Sequence, residues 1–220
     1  MRIDRLIREW GKMGSREVRE VLASGKVVVA GEVVREGNYQ VGAFDRVEVG
    51  GKVVQARVRR RVKLHKPLGV VSATVDAEHG TVIDLIEEPW AGELHLAGRL
   101  DRFTSGLVVL TNDSGYSEGL TLPGKGVGKR YVVEVDGKIT GEMVAGFEEG
   151  IWFEKEGVRT ESAVVELLGE KRCRLTIFEG KHHQVKRMFA RFGVKVTGLH
   201  REAIGEVELG DLKIGEWEEF

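Results

Sequence analysis

Four consecutive apolar residues at positions 107–110 stand between two polar segments and form a run that is too short for a helix. A run of this kind predicts a strand buried on both faces of a sheet. The loop before it, residues 98–106, contains Arg99, Asp101 and a Thr-Ser-Gly sequence. A carboxylate on a loop that continues into a buried strand is held rigidly at a domain surface. The residues alone leave two hypotheses for Asp101 open, a catalytic acid and a local turn cap.

Charge divides the chain into two parts. Residues 1–63 contain 15 Lys and Arg against 8 Asp and Glu, whereas residues 64–220 contain 19 against 27. The net charge of −1 therefore hides a basic N-terminal part, which is typical of nucleic-acid binding. We expect two domains, residues 1–58 and 59–220, that meet in the basic segment 56–63.

The N-terminal part predicts two short helices followed by strands. Apolar residues recur at helical spacing over residues 2–10, and Ser15 is the expected N-cap of a second helix that ends near Gly25. Short strands are expected over residues 27–30 and 32–34. Arginines three residues apart share a helical face, where they could line a phosphate track or form an ordinary solvated surface. The candidate RNA-binding residues of this part and of the following basic segment are Arg2, Arg5, Arg16, Arg19, Arg59, Arg60 and Arg61.

The larger part predicts an α+β fold with a mixed, largely antiparallel sheet. Strands are expected over residues 130–135, 163–168 and 172–178. A helix is expected over residues 182–192, because its apolar side chains form one stripe and Gly193 supplies a stop signal.

Several function classes are excluded by composition. A single cysteine, Cys173, cannot form an intramolecular disulfide framework or a Cys-rich zinc site. No signal-peptide core or membrane-spanning segment is present, so we expect a soluble, cytoplasmic protein.

His182 and His183 do not predict a metal site, because adjacent helical residues point about 100° apart. No long exposed apolar element stands out, and we expect a monomer.

Motifs along the whole chain resemble those of the pseudouridine synthases. Residues 98–113, GRLDRFTSGLVVLTND, resemble the G-R-L-D-x-x-T-x-G-L motif of that family. The segments 179–187 (EGKHHQVKR) and 199–205 resemble the motifs of its RsuA-type branch, which acts on small-subunit rRNA, and residues 66–72 and 81–85 fit the segment before the catalytic loop. The basic N-terminal part resembles the α-L RNA-binding module found at the front of many such enzymes.

The resemblance implies a role for individual residues. Asp101 matches the catalytic carboxylate, and Lys186, which closes the His-Gln-Val-Lys sequence, matches its basic partner. A cation is needed there because desolvation would otherwise favour the protonated acid. Tyr131 matches the tyrosine that stacks on the base. Further residues implied at the active site are Arg99 and Leu199, and those expected to contact RNA are Lys129, Arg130, His183 and Arg187.

The implied reaction is an isomerisation, so no cofactor and no metal are expected. The expected substrate is a specific uridine in 16S rRNA or in a small-subunit assembly intermediate. Three alternatives stay open at this point: a large-subunit 23S rRNA synthase of a sister branch, a non-catalytic rRNA-binding assembly factor, and a glycosidase-type hydrolase. The last would need a second carboxylate beside Asp101, for which no candidate is evident.

Overall fold

The computed structural model describes residues 1–154 and 156–220. The chain divides into two compact units, Met1–Arg59 and Arg60–Phe220. Each unit has its own cluster of buried apolar residues. None of the helices in the described residues is long and apolar enough to cross a membrane.

The first unit packs two helices on a small antiparallel sheet. Buried Ile3, Ile7, Val18 and Leu22 of the helices meet the alternating valines of the central strands. Ser15 is the first residue of the second helix rather than its cap, because Gly14 stands at the cap and its N–H donates to Glu17 Oε2 at 2.7 Å. The helices are α1 (Ile3–Gly11) and α2 (Ser15–Ala23), and the sheet order is β2-β1-β3-β4, with β1 Val27–Val29, β2 Glu32–Val33, β3 Val47–Val49 and β4 Lys52–Gln55.

The second unit is built on a nine-stranded sheet. Its main path runs β11-β12-β8-β13-β7-β5-β15, while β14 pairs with β13 and β6 with β7. The bounds are β5 Arg61–Lys66, β6 His95–Leu96, β7 Ser105–Thr111, β8 Lys129–Val135, β11 Val164–Gly169, β12 Arg172–Ile177, β13 Val196–Ile204, β14 Val207–Glu208 and β15 Trp217–Glu219. The β13–β7 pair is parallel and the other strand pairs are antiparallel. The predicted α+β class with a mixed, largely antiparallel sheet is thus confirmed.

Outside this sheet, a two-stranded ribbon and three helices complete the unit. The ribbon consists of β9 (Trp152–Phe153) and β10 (Val158–Arg159), and a single 3-10 turn covers Ala91–Glu93. The helices are α3 (Ser114–Thr121), α4 (Gly141–Glu149) and α5 (Gln184–Ala190).

Strand β7 lies between two apolar layers. Val108 and Leu110 belong to the main core, whereas Leu107 and Val109 belong to a smaller core with Ile204. All four residues of the 107–110 run are completely buried, which explains why that run has no polar face.

Helix α5 is shorter than the pattern predicts. It covers Gln184–Ala190 instead of residues 182–192, because His183 adopts a left-handed conformation with φ 50° and breaks the helical path. The predicted apolar stripe is present through Val185, Met188 and Phe189, which are all buried, while Phe192 lies beyond the helix end. The consequence for function is that His183 stands in a sharp turn directly before the helix.

Candidate active site

A cavity of about 510 Å³ opens at the start of strand β8 and along the middle of strand β13, next to the start of α5. Pockets of 300–1,000 Å³ are the usual size for small ligands. Side chains from four separate segments line it, so the sheet rather than local sequence brings them together. The lining residues predicted from the sequence are Arg99, Asp101, Lys129, Tyr131, His183, Lys186 and Leu199.

Asp101 lies in a tight turn at the wall of this cavity. Thr104 N–H donates to Asp101 O at 3.0 Å, which closes the turn, and Leu100 N–H donates to Ser72 Oγ at 3.0 Å. Thr104 and Ser72 are both buried, so the backbone on each side of Asp101 is anchored. The carboxylate itself is 30% exposed and therefore accessible from the cavity. A reactive group in this setting is held in position by buried residues on both sides of it.

Two basic side chains from the α5 region contact the Asp101 carboxylate. Lys186 Nζ donates to Asp101 Oδ2 at 3.0 Å, and His183 Nε2 lies 3.3 Å from Oδ1. Residues separated by more than 80 positions in sequence thus meet at one carboxylate. A cation at this distance stabilises the ionised form of an acid.

A buried glutamine positions the loop that carries His183. Gln184 Nε2 donates to Glu179 Oε1 at 2.7 Å, and Lys181 N–H donates to Gln184 Oε1 at 2.9 Å. Glu179 also pairs with Lys181 and accepts the N–H of Glu161 at 3.0 Å. Within the Gln-Val-Lys sequence, Gln184 therefore orders the loop, and Lys186 contacts Asp101.

Strand β8 supplies the aromatic floor. Tyr131 is 7% exposed and Lys129, two residues earlier on the same strand, lines the same cavity. Burial lowers the pKa of Lys129, and the nearby Arg201 guanidinium lowers it further, while Glu161 opposes both effects. Leu199 from the neighbouring strand β13 completes an apolar patch beside the tyrosine.

Arg201 is a site residue that the sequence prediction missed. Its side chain is completely enclosed, and its Nε donates to Leu107 O at 2.8 Å. Its Nη1 lies 3.4 Å from both Arg99 O and the Tyr131 hydroxyl. One guanidinium therefore links the two ends of the Asp101 loop to the aromatic floor. The signal was the two-residue spacing from Leu199, which places both side chains on one face of a strand.

Lys66 does not line the cavity, but it interacts electrostatically with Asp101 and is a second residue that was missed. It is fully buried, and its Nζ donates to Pro67 O at 2.8 Å and to Arg102 O at 3.2 Å. Burial lowers the pKa of Lys66 to about 8, an effect that the Asp101 carboxylate opposes. No local signal marked it, since lysine at the end of a basic segment is normally solvent-exposed.

Several predicted RNA-binding arginines of the second unit do not line this cavity and have partners in the protein. Arg130 pairs with Glu202 and Glu208, and Arg187 pairs with Glu156 and lies 3.7 Å from the Phe153 ring centre. Arg187 is thus engaged within the protein in this structure, and its contact with RNA stays a prediction. Arg60 pairs with Glu219 and stacks on Trp90, and Arg61 stacks on Tyr116.

The arginines of the first unit are largely exposed. Arg5 is exposed on α1, whereas Arg2 pairs with Asp4 and Arg16 with Glu20. Arg19 Nε donates to Ser15 O at 3.3 Å, and Arg59 lies over the Phe44 ring. Exposed ion pairs of this kind contribute little to stability, so these guanidiniums can exchange partners at small cost.

Comparison with known proteins assigns the family. A model described as RNA pseudouridylate synthase matches residues 62–191, which include the loop, the aromatic strand and the helix described above. The chain therefore belongs to the RNA pseudouridylate synthase family, and the resemblance inferred from its motifs is confirmed.

Two relatives and one solved structure match the chain over almost its full length. Over 219 residues the chain is 43% identical to the ribosomal small subunit pseudouridine synthase A of Pseudomonas aeruginosa, with 99% of this chain and 95% of the relative covered. A protein of the same name from Escherichia coli is 36% identical over 219 residues, covering 99% and 95%. A crystal structure of a pseudouridylate synthase matches with a TM-score of 0.72 and 34% identity, covering 100% of this chain and 96% of that one.

Proposed function

We propose that this protein isomerises one uridine of small-subunit, 16S ribosomal RNA to pseudouridine, with Asp101 as the catalytic carboxylate. The observation that carries the proposal is the placement of Asp101 in a cavity with a tyrosine floor, with Lys186 Nζ at 3.0 Å from its carboxylate. The names of the full-length relatives support the choice of the small-subunit RNA. The RNA substrate also implies a cytoplasmic protein.

The reaction balances without any added reagent. The bond from ribose C1′ to uracil N1 breaks, the base turns, and C1′ forms a new bond to C5. The proton on C5 is lost and N1 gains one, so substrate and product have the same atoms and oxidation state. One ionised carboxylate beside the sugar, either as a nucleophile or as a base, is sufficient for this chemistry. Asp101, whose carboxylate pairs with Lys186 and lies 3.3 Å from His183 Nε2, fits that requirement.

The cavity walls suit an extruded uracil base. A base that leaves its stack loses favourable contacts, and an aromatic plane can restore about 1–3 kcal/mol of them. Tyr131 and Leu199 offer an apolar surface for the ring, while Lys129 offers a cation for its oxygens or a phosphate. Arg201 positions Tyr131 and the Asp101 loop relative to each other through the contacts already described.

A glycosidase-type hydrolase fits the site less well. Such enzymes need a second carboxylate to activate water or to protonate the leaving group. Within the described residues, the acids that line the cavity are Asp101 and Glu179. Glu179 is already bound by Gln184, Lys181 and the Glu161 N–H, so it orders a loop instead of facing a reacting bond.

The first unit is proposed as an RNA-binding domain that holds the substrate outside the catalytic cavity. Its exposed arginines, Arg5 and Arg19 among them, can neutralise phosphates and release counterions. A tethered module of this kind raises the effective concentration of RNA at the catalytic unit. We propose that the enzyme works as a monomer, because no long exposed apolar element stands out in the sequence.

The proposal is tested by mapping pseudouridine with carbodiimide chemistry on small- and large-subunit rRNA after incubation with the protein. Wild type should produce a single new reverse-transcription stop in small-subunit RNA, and Asp101→Asn should produce none. The matched control is Asp113→Asn, which alters the cap of α3 outside the cavity and should retain the stop. A stop in large-subunit RNA would reassign the substrate, and no stop in either RNA despite tight binding would favour an assembly factor.

A further inference from the structure

An exposed phenylalanine stands at the rim of the catalytic cavity. Asp101 and Thr104 line the cavity, whereas the two residues between them, Arg102 and Phe103, do not. Phe103 is 67% exposed although it lies only two residues from the catalytic acid. At about 3.8 Å per residue, the two Cα atoms can be no more than about 7.6 Å apart. Phe103 is therefore an exposed aromatic residue on the short turn between two residues of the cavity wall.

The backbone that carries this ring is held in place. Gly69 N–H donates to Arg102 O at 2.9 Å, and Arg102 Nε donates to Gly69 O at 3.0 Å. Arg102 Nη1 also contacts His79 Nε2 at 2.6 Å. On the other side, buried Thr104 closes the turn onto Asp101. Phe103 thus has an anchored backbone and a largely exposed side chain, which is how a preorganised contact surface is built.

The surroundings of the ring favour RNA over an apolar protein partner. The Arg102 guanidinium lies 5.2 Å from the centre of the Phe103 ring. Arg99, Lys129 and Lys186 line the cavity behind it. An aromatic ring combined with an arginine and a positive cleft is the arrangement that binds single-stranded nucleic acid by base stacking.

We propose that Phe103 stacks on the base of a nucleotide that directly flanks the target uridine. This inference rests on the proposed function and deepens it. When the target base occupies the cavity, its neighbour remains covalently attached and must cross the rim beside Asp101. A ring at that position replaces the stacking that the neighbour loses when the target is extruded. The substrate is therefore unpaired at this flanking position, as in a loop or an open assembly intermediate.

The test measures pseudouridine formation on an RNA fragment that contains the mapped uridine. Phe103→Ala should raise KM about 10-fold, within the 5- to 150-fold range of one base–aromatic stack, and leave kcat within about twofold of wild type. Phe103→Tyr should restore the wild-type KM, whereas Phe103→Leu, which keeps apolar volume without a ring, should not. The matched control is Phe220→Ala, because Phe220 is also half exposed and does not line the cavity.

A double-mutant cycle between protein and RNA then identifies the partner base. Fragments with an abasic nucleotide immediately 5′ or 3′ of the target are compared in wild type and in Phe103→Ala. One of the two should raise the wild-type KM about 10-fold and leave the KM of the variant unchanged.

The outcomes separate this inference from the proposed function. An active wild type whose KM is unaffected by Phe103→Ala would overturn the inference alone, as would equal abasic effects in both proteins or full activity of Phe103→Leu. Wild-type protein that forms no pseudouridine in any rRNA would contradict the proposed function first, and the inference with it.

Discussion

Gly106, the last residue of the Thr-Ser-Gly sequence, is a position at which an added methyl group should strongly destabilise the protein. Its φ is +107°, in a region that side chains rarely adopt. A Cβ added there would lie 2.3 Å from Arg201 O and 2.5 Å from Arg201 N, both backbone atoms of the paired strand β13. Ordinary contacts begin near 3.4 Å. Strands β7 and β13 would therefore have to separate by about 1 Å at the parallel pair beside the active site.

The expected loss of stability in Gly106→Ala is the sum of two terms, one for the backbone conformation and one for the close contacts. An unfavourable backbone conformation costs about 1–3 kcal/mol, and overpacking costs about 1–3 kcal/mol more. We therefore expect a loss of about 4 kcal/mol in the free energy of unfolding, which corresponds to about 8–16 °C in Tm for a unit of this size. Urea unfolding followed by tryptophan emission measures it, and the slope against urea concentration should stay unchanged.

A glycine in the same unit provides the control. Gly119 lies in helix α3 with open space around its would-be Cβ, so Gly119→Ala should stabilise the protein by about 0.5–1 kcal/mol. A loss below about 1 kcal/mol for Gly106→Ala would refute the argument that the positive φ and the close approach of these two backbones require glycine at this position.

Four further predictions concern the site and the first unit. Lys186→Met should lower kcat at least about 100-fold with little change in KM, whereas Arg191→Met, an exposed cation beyond the same helix, should leave both unchanged, as measured by steady-state kinetics on rRNA. Because Asp101 raises the lowered pKa of Lys66, Asp101→Asn should bring that pKa below about 8 in an NMR titration of the lysine side chain. In the wild-type protein, the Lys66 pKa of about 8 lies below the value of about 10.4 for an unfolded lysine, so protonation of Lys66 favours unfolding. Lys66 should therefore make the protein more stable as pH rises from about 8 to about 10.5. Residues 60–220 alone should retain kcat on saturating RNA but show a higher KM that depends less steeply on salt, because phosphate contacts are lost.

Much of the fold could be predicted from local pattern. The buried strand β7, the short helices of the first unit and the apolar stripe of α5 all follow from the periodicity of apolar residues. Among the elements that the pattern predicts, the errors lie at element ends, where a single residue such as His183 changes the backbone direction. Gly14 and Ser15 show the same limit, since either residue could serve at the helix start and only the contact with Glu17 distinguishes them.

The sequence by itself determined the chemistry that this protein can carry out, since the motifs name a carboxylate, a basic partner and an aromatic residue of a known family. Only the tertiary structure decided which side chains share the cavity. Lys66 and Arg201 are charged residues whose burial depends on carbonyl groups from distant loops and strands, and no local pattern encodes those partners. Arg130 and Arg187 show the opposite case. The sequence predicts that both are available to bind RNA, but in the structure each pairs with an acidic residue from another segment. Charge is visible residue by residue, whereas the partner that offsets the cost of burying it depends on how the whole sheet is assembled.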